Sequence, residues 1–214
     1  RELKPDADLV AYYMYAVLDN GGPQFLLQEA QEAWKKLNEE QQAQPRLRAL
    51  RARCKIISGE QSGAREELES LAITPSAPLE AIISFAETLL EEHKVSHARL
   101  ELRRALALEA NHPRVLSMLA ETYLRAGPHY SSEYGCQLAT SACQSSGWLS
   151  AREMHILAEA YYHSGDCGSA LVMAKKAKQA GGRLLGEYRN MRNLEALIDS
   201  LSSADTIQIK SRVL

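Results

Sequence analysis

Aromatic residues are scarce in this chain of 214 residues, 6% in all with two Phe and two Trp, and long apolar runs are missing. The longest, LVAYYMYAVL from Leu9 to Leu18, is ten residues held between Asp8 and Asp19. A bilayer core needs ~20 residues, so this run reads as an ordinary buried helix and direct membrane insertion is not expected. An excess of one charge is missing too: 25 Lys and Arg stand against 27 Asp and Glu, with the signs interspersed. Without a basic stripe to track a phosphate backbone, nucleic acid is not an expected partner. The four cysteines, Cys54, Cys136, Cys143 and Cys167, follow no paired spacing. Cys136 and Cys143 fall about 10 Å apart along one predicted helix, beyond disulfide reach. Used as small apolar fillers, they lean toward a reducing compartment and leave a periplasmic home open, so the localisation stands between cytoplasm and periplasm.

Strand signals are also lacking, since no run alternates with period two. Apolar residues instead recur three and four apart, at Ile82, Phe85, Ala86 and Leu89, at Leu116, Leu119, Ala120 and Tyr123, and at Met154, Leu157, Ala158 and Tyr161. Each set is one stripe on one helix. The seven prolines fall where helices should start or turns should sit, and none interrupts a stripe. Gly59, Gly127, Gly165 and the pairs Gly21 with Gly22 and Gly181 with Gly182 mark stops. The pattern predicts helices near 6–19 and 23–40, 44–58 and 61–72, 78–92 and 95–109, 113–126 and 131–145, 150–163 and 166–180, and a last one near 183–201. Short turns make neighbours antiparallel, giving five helical hairpins and a terminal helix. One hairpin cannot bury its own apolar faces, so the expectation is an all-α solenoid in a single domain over 1–201, with 202–214 as tail or linker.

Three stretches are near-copies: FAETLLEEH from Phe85, LAETYLRAG from Leu119 and LAEAYYHSG from Leu157, thirty-four and then thirty-eight residues apart. With their flanks they resemble the tetratricopeptide repeat family, a thirty-four-residue helix–turn–helix unit. The clearest copy spans 151–182: Met154, Leu157, Ala158 and Tyr161 on the first helix, Gly165 and Asp166 at the turn, and Ala170, Ala174 and Ala177 on the second. The copy over 79–112 departs at His93, where the family has Gly, and at Ala110, where it has Pro. The copy over 113–150 carries a longer turn, GPHYSSEYG, which accounts for the wider spacing. Residues 44–75 and 6–40 keep the skeleton more weakly, with Arg51 where a small residue is expected. The resemblance implies a right-handed superhelix whose first helices line a concave groove.

Every copy also repeats a glutamate, Glu87, Glu121 and Glu159. On a helical wheel Glu87 lies roughly 150° from the centre of the apolar stripe, which predicts an open face. In a tetratricopeptide stack that face lines the groove, and the row becomes a ladder for basic or amine-bearing groups. A glutamate on a solvated face is otherwise explained by helix propensity and solubility. The same face carries Glu80, Ile83, Leu90 and Glu91, then Arg114, Ser117, Leu124 and Arg125, then Arg152, His155, Tyr162 and His163. A peptide or partner helix of mixed character suits it. The candidate partner-binding residues are therefore Glu87, Glu121, Arg125, His155, Glu159 and Tyr162. Glutamates occupy much of the groove, so the family's basic clamp for chaperone C-termini is not expected.

Catalysis and cofactors find no support in the sequence. His93 and His97 have helical ligand spacing but straddle a turn without a third ligand, and His163 with Cys167 brackets another, so no metal is expected. GEQSG from Gly59 has the wrong spacing for a nucleophile elbow, and AGGRLLG near Gly181 lacks the lysine of a phosphate loop. The terminal helix, with Leu184, Leu185, Tyr188, Met191, Leu194, Leu197, Ile198 and Leu201 against Arg183, Arg189 and Arg192, is expected to cap the stack and also permits a homo-oligomer seam. The expected function is a protein–protein interaction adaptor; the alternative is a ligand-sensing or regulatory domain of a larger protein.

Overall fold

The computed structural model describes residues 6–19, 23–60, 62–182 and 188–212, with side chains as far as Ser203. Gly21 and Gly22 of the first expected turn, Gln61 of the GEQSG stretch, Arg183, Leu184 and Leu185 of the expected terminal helix, and the side chains of the tail beyond Ser203 lie outside the described residues. Among those described there are twelve helices and no strand. They fall into two compact units, one ending at Leu108 and one beginning at Glu109.

In the first unit α1 (Ala7–Asp19) pairs with α2 (Gln24–Lys35), α4 (Pro45–Ile57) with α5 (Ala64–Ala72), and α6 (Leu79–Glu91) with α7 (Val95–Leu108). Helix α4 is the centre, packed against both α1 and α6. Its Leu47, Leu50 and Cys54 close a core with Met14 and Leu27. The single helix expected over 23–40 ends instead at Lys35, and a short α3 (Glu39–Gln42) follows. The break has a local cause: the Asn38 side chain accepts from Gln41 N–H at 2.8 Å while the Gln41 side chain accepts from Asn38 N–H at 3.1 Å. Two otherwise orphaned donors of a helix start are thereby satisfied, and a new helix begins. Arg51, placed where a small residue was expected, lays its guanidinium 3.8 Å from the centre of the Trp34 ring. The small positions are supplied by its neighbours Ala49 and Ala52, both buried.

The second unit comprises α8 (Pro113–Leu124) with α9 (Ser132–Ser145), α10 (Ala151–His163) with α11 (Cys167–Gly181), and α12 (Met191–Arg212), which packs on α11. Ala158 and Ala160 of α10 and Ala174 and Ala177 of α11 are fully buried. With only methyl groups to separate them, the helix axes close in and Leu157, Met154 and Leu194 fill the remaining space. The long turn after α8 is tied down: Ser131 N–H donates to the Tyr123 carbonyl at 2.9 Å, and the Tyr123 and Tyr134 rings meet edge to face at 4.7 Å. The terminal helix starts at Met191 after a turn at Arg189 and Asn190, later than the expected 183, and continues past Leu201 to Arg212. No helix among the described residues is long and apolar enough to cross a membrane.

The stops follow the expected chemistry even where the residue does not. After α10, Gly165 holds φ 85° while Asp166 N–H reaches back to the Tyr161 carbonyl at 3.0 Å. After α6, His93 takes the same left-handed conformation, φ 60°, and Lys94 N–H reaches the Leu89 carbonyl at 2.8 Å. The hydrogen-bonded stop is identical, so the departure from glycine at His93 costs backbone strain but leaves the geometry intact.

Candidate functional site

The repeated glutamates meet two different surroundings. In the first unit Glu87 points into α4, where the fully buried Arg53 guanidinium awaits it. Arg53 Nε donates to Glu87 Oε2 at 3.3 Å, Nη1 to Thr88 Oγ1 at 3.1 Å, and Nη1 and Nη2 to the two oxygens of Glu91 at 2.8 Å each. Glu87 keeps only 9% exposure, where the wheel predicted an open face. The physical reason is that α6 is enclosed by α4 and α5 as well as α7, so Ile83 and Leu90 on that face are buried with it. Arg53 was not singled out in the sequence. It stands thirty-four residues before Glu87, one repeat earlier, which is the signal that could have found it.

In the second unit α8 and α10 lie side by side and bring the other candidates together. Glu121 lies in the last turn of α8, and Arg125, the extended residue just past its end, folds back to form an ion pair with it. Glu159 on α10 is close enough to feel both: the loss of water around it and then the Glu121 charge push its carboxyl up to about 7, against the opposing pull of Arg125. It keeps 36% of its side-chain exposure, so it reaches solvent. Tyr162, one turn further along α10, is 48% exposed. Its ring meets that of His163, which in turn meets Tyr130, each pair at 6.0 Å between centres.

His155 is placed beneath this surface, with 2% exposure. Tyr188 Oη lies 3.2 Å from its Nδ1, leaving Nε2 to face Glu159 Oε1 at 3.6 Å. Burial lowers the imidazole to about 4, so the ring is neutral at pH 7 and the 3.6 Å approach is neither an ion pair nor a hydrogen bond. Nε2 has no hydrogen-bond partner among the described residues. His155 thus turns a buried ring nitrogen toward Glu159 without bonding to it. Arg114 and Ser117, also assigned to the groove face, are buried.

Among the described residues no group of three or more His, Cys, Asp or Glu is placed to hold a metal ion. All four cysteines are free, and burial pushes the Cys54 and Cys143 thiols up to about 12, which keeps them protonated and inert.

Paired antiparallel helices at a repeat of about thirty-four residues, with alanine-lined second helices, define the tetratricopeptide-repeat fold. No family model matches the sequence, and no curated protein does. Solved structures of the same fold do. The chain is similar to the thermophilic tetratricopeptide-repeat protein TTC0263 of Thermus thermophilus, at 15% identity and a TM-score of 0.65 over 92% of this chain and 98% of that one. It is also similar to MamA from Desulfovibrio magneticus RS-1, residues 41 to the end, at 15% identity and 0.52 over 84% and 97%. A further MamA structure matches at 15% identity and 0.51 over 83% and 92%. The chain therefore has the tetratricopeptide-repeat fold.

Proposed function

We propose that the protein is an interaction adaptor that holds a peptide or partner helix on the α8–α10 surface of its second unit, in the assembly of a larger complex. The observation that carries this reading is the set of groups around Glu159. A partly exposed carboxylate, raised by its repeat neighbour Glu121, sits over a buried imidazole nitrogen that lacks a partner, with the open ring of Tyr162 beside it. Charged and aromatic groups open on a surface of packed helices are what a binding partner engages, and that preorganisation confines the ordering cost to the partner's side. Glu121, Arg125, Glu159 and Tyr162 make contact, and His155 packs beneath Glu159. Glu87 shares their place in the repeat but is engaged by Arg53.

The test is affinity capture from a cell extract with the native protein and the Glu121→Lys/Glu159→Lys variant in parallel. A partner held by the first and lost from the second supports the reading; equal retention by both contradicts it. The expectation of one cooperative domain over residues 1–201 is likewise a proposal, supported by the recurrence of the same helical hairpin in both units. A single calorimetric transition supports it, and two resolved transitions contradict it.

A further inference from the structure

We infer that the cavity lined by α5, α6 and α7 in the first unit is an anchor site for one uncharged aromatic side chain of a partner protein. It lies in the first unit and does not rest on the α8–α10 surface.

Helices α5 and α7 both pack on α6, and the three line a cavity of about 330 Å³. Its floor is apolar, made by the buried side chains of Phe85 and Leu89 on α6. Its rim is apolar as well: Ile73, the first residue beyond α5, keeps 61% exposure and Leu100 of α7 keeps 65%. A single exposed aliphatic residue is ordinary. Two of them, from different helices and over one apolar floor, hold apolar surface in water that an apolar occupant would release. Ligand sites run to roughly 300–1,000 Å³, so this one is at the small end and suits a single bulky side chain.

The polar part of the lining excludes an ionic occupant. Arg65 and Lys94 stand against Glu69 and Glu101, so the charges of the wall balance. They are also already engaged. Arg65 Nε and Nη2 donate to the two oxygens of Glu92 at 2.8 and 3.2 Å, and Nη1 is bonded to Glu69. Lys94 Nζ donates to Glu92 at 2.7 Å, and Arg104 Nη1 donates to Glu101 at 3.1 Å. A carboxylate entering the cavity would meet Glu69 and Glu101 beside cations that other carboxylates hold, and an ammonium would meet Arg65 and Lys94. Neither ion would recover what it loses on leaving water.

Arg65 then selects an aromatic group above an aliphatic one. Its central carbon lies 5.5 Å from the centre of the Phe85 ring, so a cation over a ring is already part of the wall. With each of its three nitrogens bonded to a carboxylate, what the guanidinium has left to offer is its flat face, which attracts an aromatic ring. Phe85 adds a ring for a second aromatic contact. A leucine would fill the same space with neither contribution. Glu69 and Glu92 hold Arg65 in place beforehand, which leaves the ordering cost to the partner.

The experiment titrates the full chain, followed by NMR, with capped Ala-Trp-Ala, with the same peptide carrying a tetrafluorinated indole, and with capped Ala-Leu-Ala. Ala-Trp-Ala is expected to shift resonances around Phe85, Leu89 and Leu100. It should bind roughly fivefold more tightly than Ala-Leu-Ala and than the fluorinated peptide, whose electron-poor ring face no longer attracts a cation. Leu100→Glu, at an exposed position and checked for an unchanged melting temperature, should abolish the shifts by setting a charge at the rim. Ile73→Glu, from the other helix, should do the same and serves where Leu100→Glu does not fold. The Glu121→Lys/Glu159→Lys variant should bind Ala-Trp-Ala as the native protein does; weaker binding there would place the peptide on the α8–α10 surface and overturn the inference. Binding of the leucine or fluorinated peptide as tight as that of Ala-Trp-Ala, shifts that survive the rim substitutions, or no shift up to the solubility limit would each overturn it as well.

Discussion

Arg53 clasps Glu91 with both terminal nitrogens at 2.8 Å while its Nε turns to Glu87, so one wholly buried cation is shared by two carboxylates of the neighbouring helix. Such a group costs several kcal/mol to desolvate and is held by its partners. Arg53→Met should destabilise the protein by about 3 kcal/mol in urea unfolding, because the buried Glu87 loses the Arg53 counter-charge. Adding Glu87→Leu should recover much of that loss, since an apolar pair of similar volume removes the stranded charge. A double variant as unstable as the sum of the two single ones would contradict this account.

Ala158 is buried where α10 meets its neighbours, and its smallness sets their separation. Ala158→Leu should cost roughly 1–3 kcal/mol by overpacking, read as a fall in melting temperature. An unchanged melting temperature would mean that the helices are not held at the distance the alanines dictate.

Stability should respond to pH through two carboxylates shifted in opposite directions. Glu92, bonded to Arg65 and Lys94, is held down to about 2, so it contributes stability that is complete above its unfolded value near 4.5 and is lost as pH falls toward 2. Glu159 is raised to about 7, so the folded state binds more protons than the unfolded one between about 4.5 and 7, and stability declines as pH rises through that window. Glu159→Gln should therefore raise the melting temperature at pH 8 and leave it little changed at pH 4. A rise of equal size at both would contradict the raised value.

His93 occupies a glycine's conformation at φ 60°. His93→Gly should stabilise by about 0.5–1 kcal/mol, the relief of left-handed strain less the added flexibility of the unfolded chain. Gly165→Ala, at φ 85°, should destabilise by a comparable amount, about 1 kcal/mol.

The fold was legible because its determinants are local and repeated: Leu157, Ala158 and Tyr161 say the same thing as Leu119, Ala120 and Tyr123, and each hairpin must present one shape to the next. The break at Asn38 was legible in principle, since Asn and Gln three apart are a helix-start signature, but the continuous apolar spacing on either side hid it. The glutamates were harder. A helical wheel treats one helix at a time, and whether a glutamate opposite the apolar stripe is open depends on what the neighbouring helix brings. For Glu87 that is Arg53, and for Glu159 it is Glu121, a distinction carried by the residue one repeat earlier. His155 looked like a groove residue by spacing and is buried because the segment at Tyr188 covers it. Nothing in its own helix announces that.

The central claim is tested most directly by a charge-swap cycle between Glu159 and the basic residue of the captured partner, measured by calorimetry at pH 8. Glu159→Lys should weaken binding roughly tenfold or more, and reversing the partner's basic residue to glutamate should restore much of it in the Glu159→Lys background alone. Binding that is unmoved by Glu159→Lys, or losses that simply add when both residues are changed, would contradict the claim that this surface holds the partner.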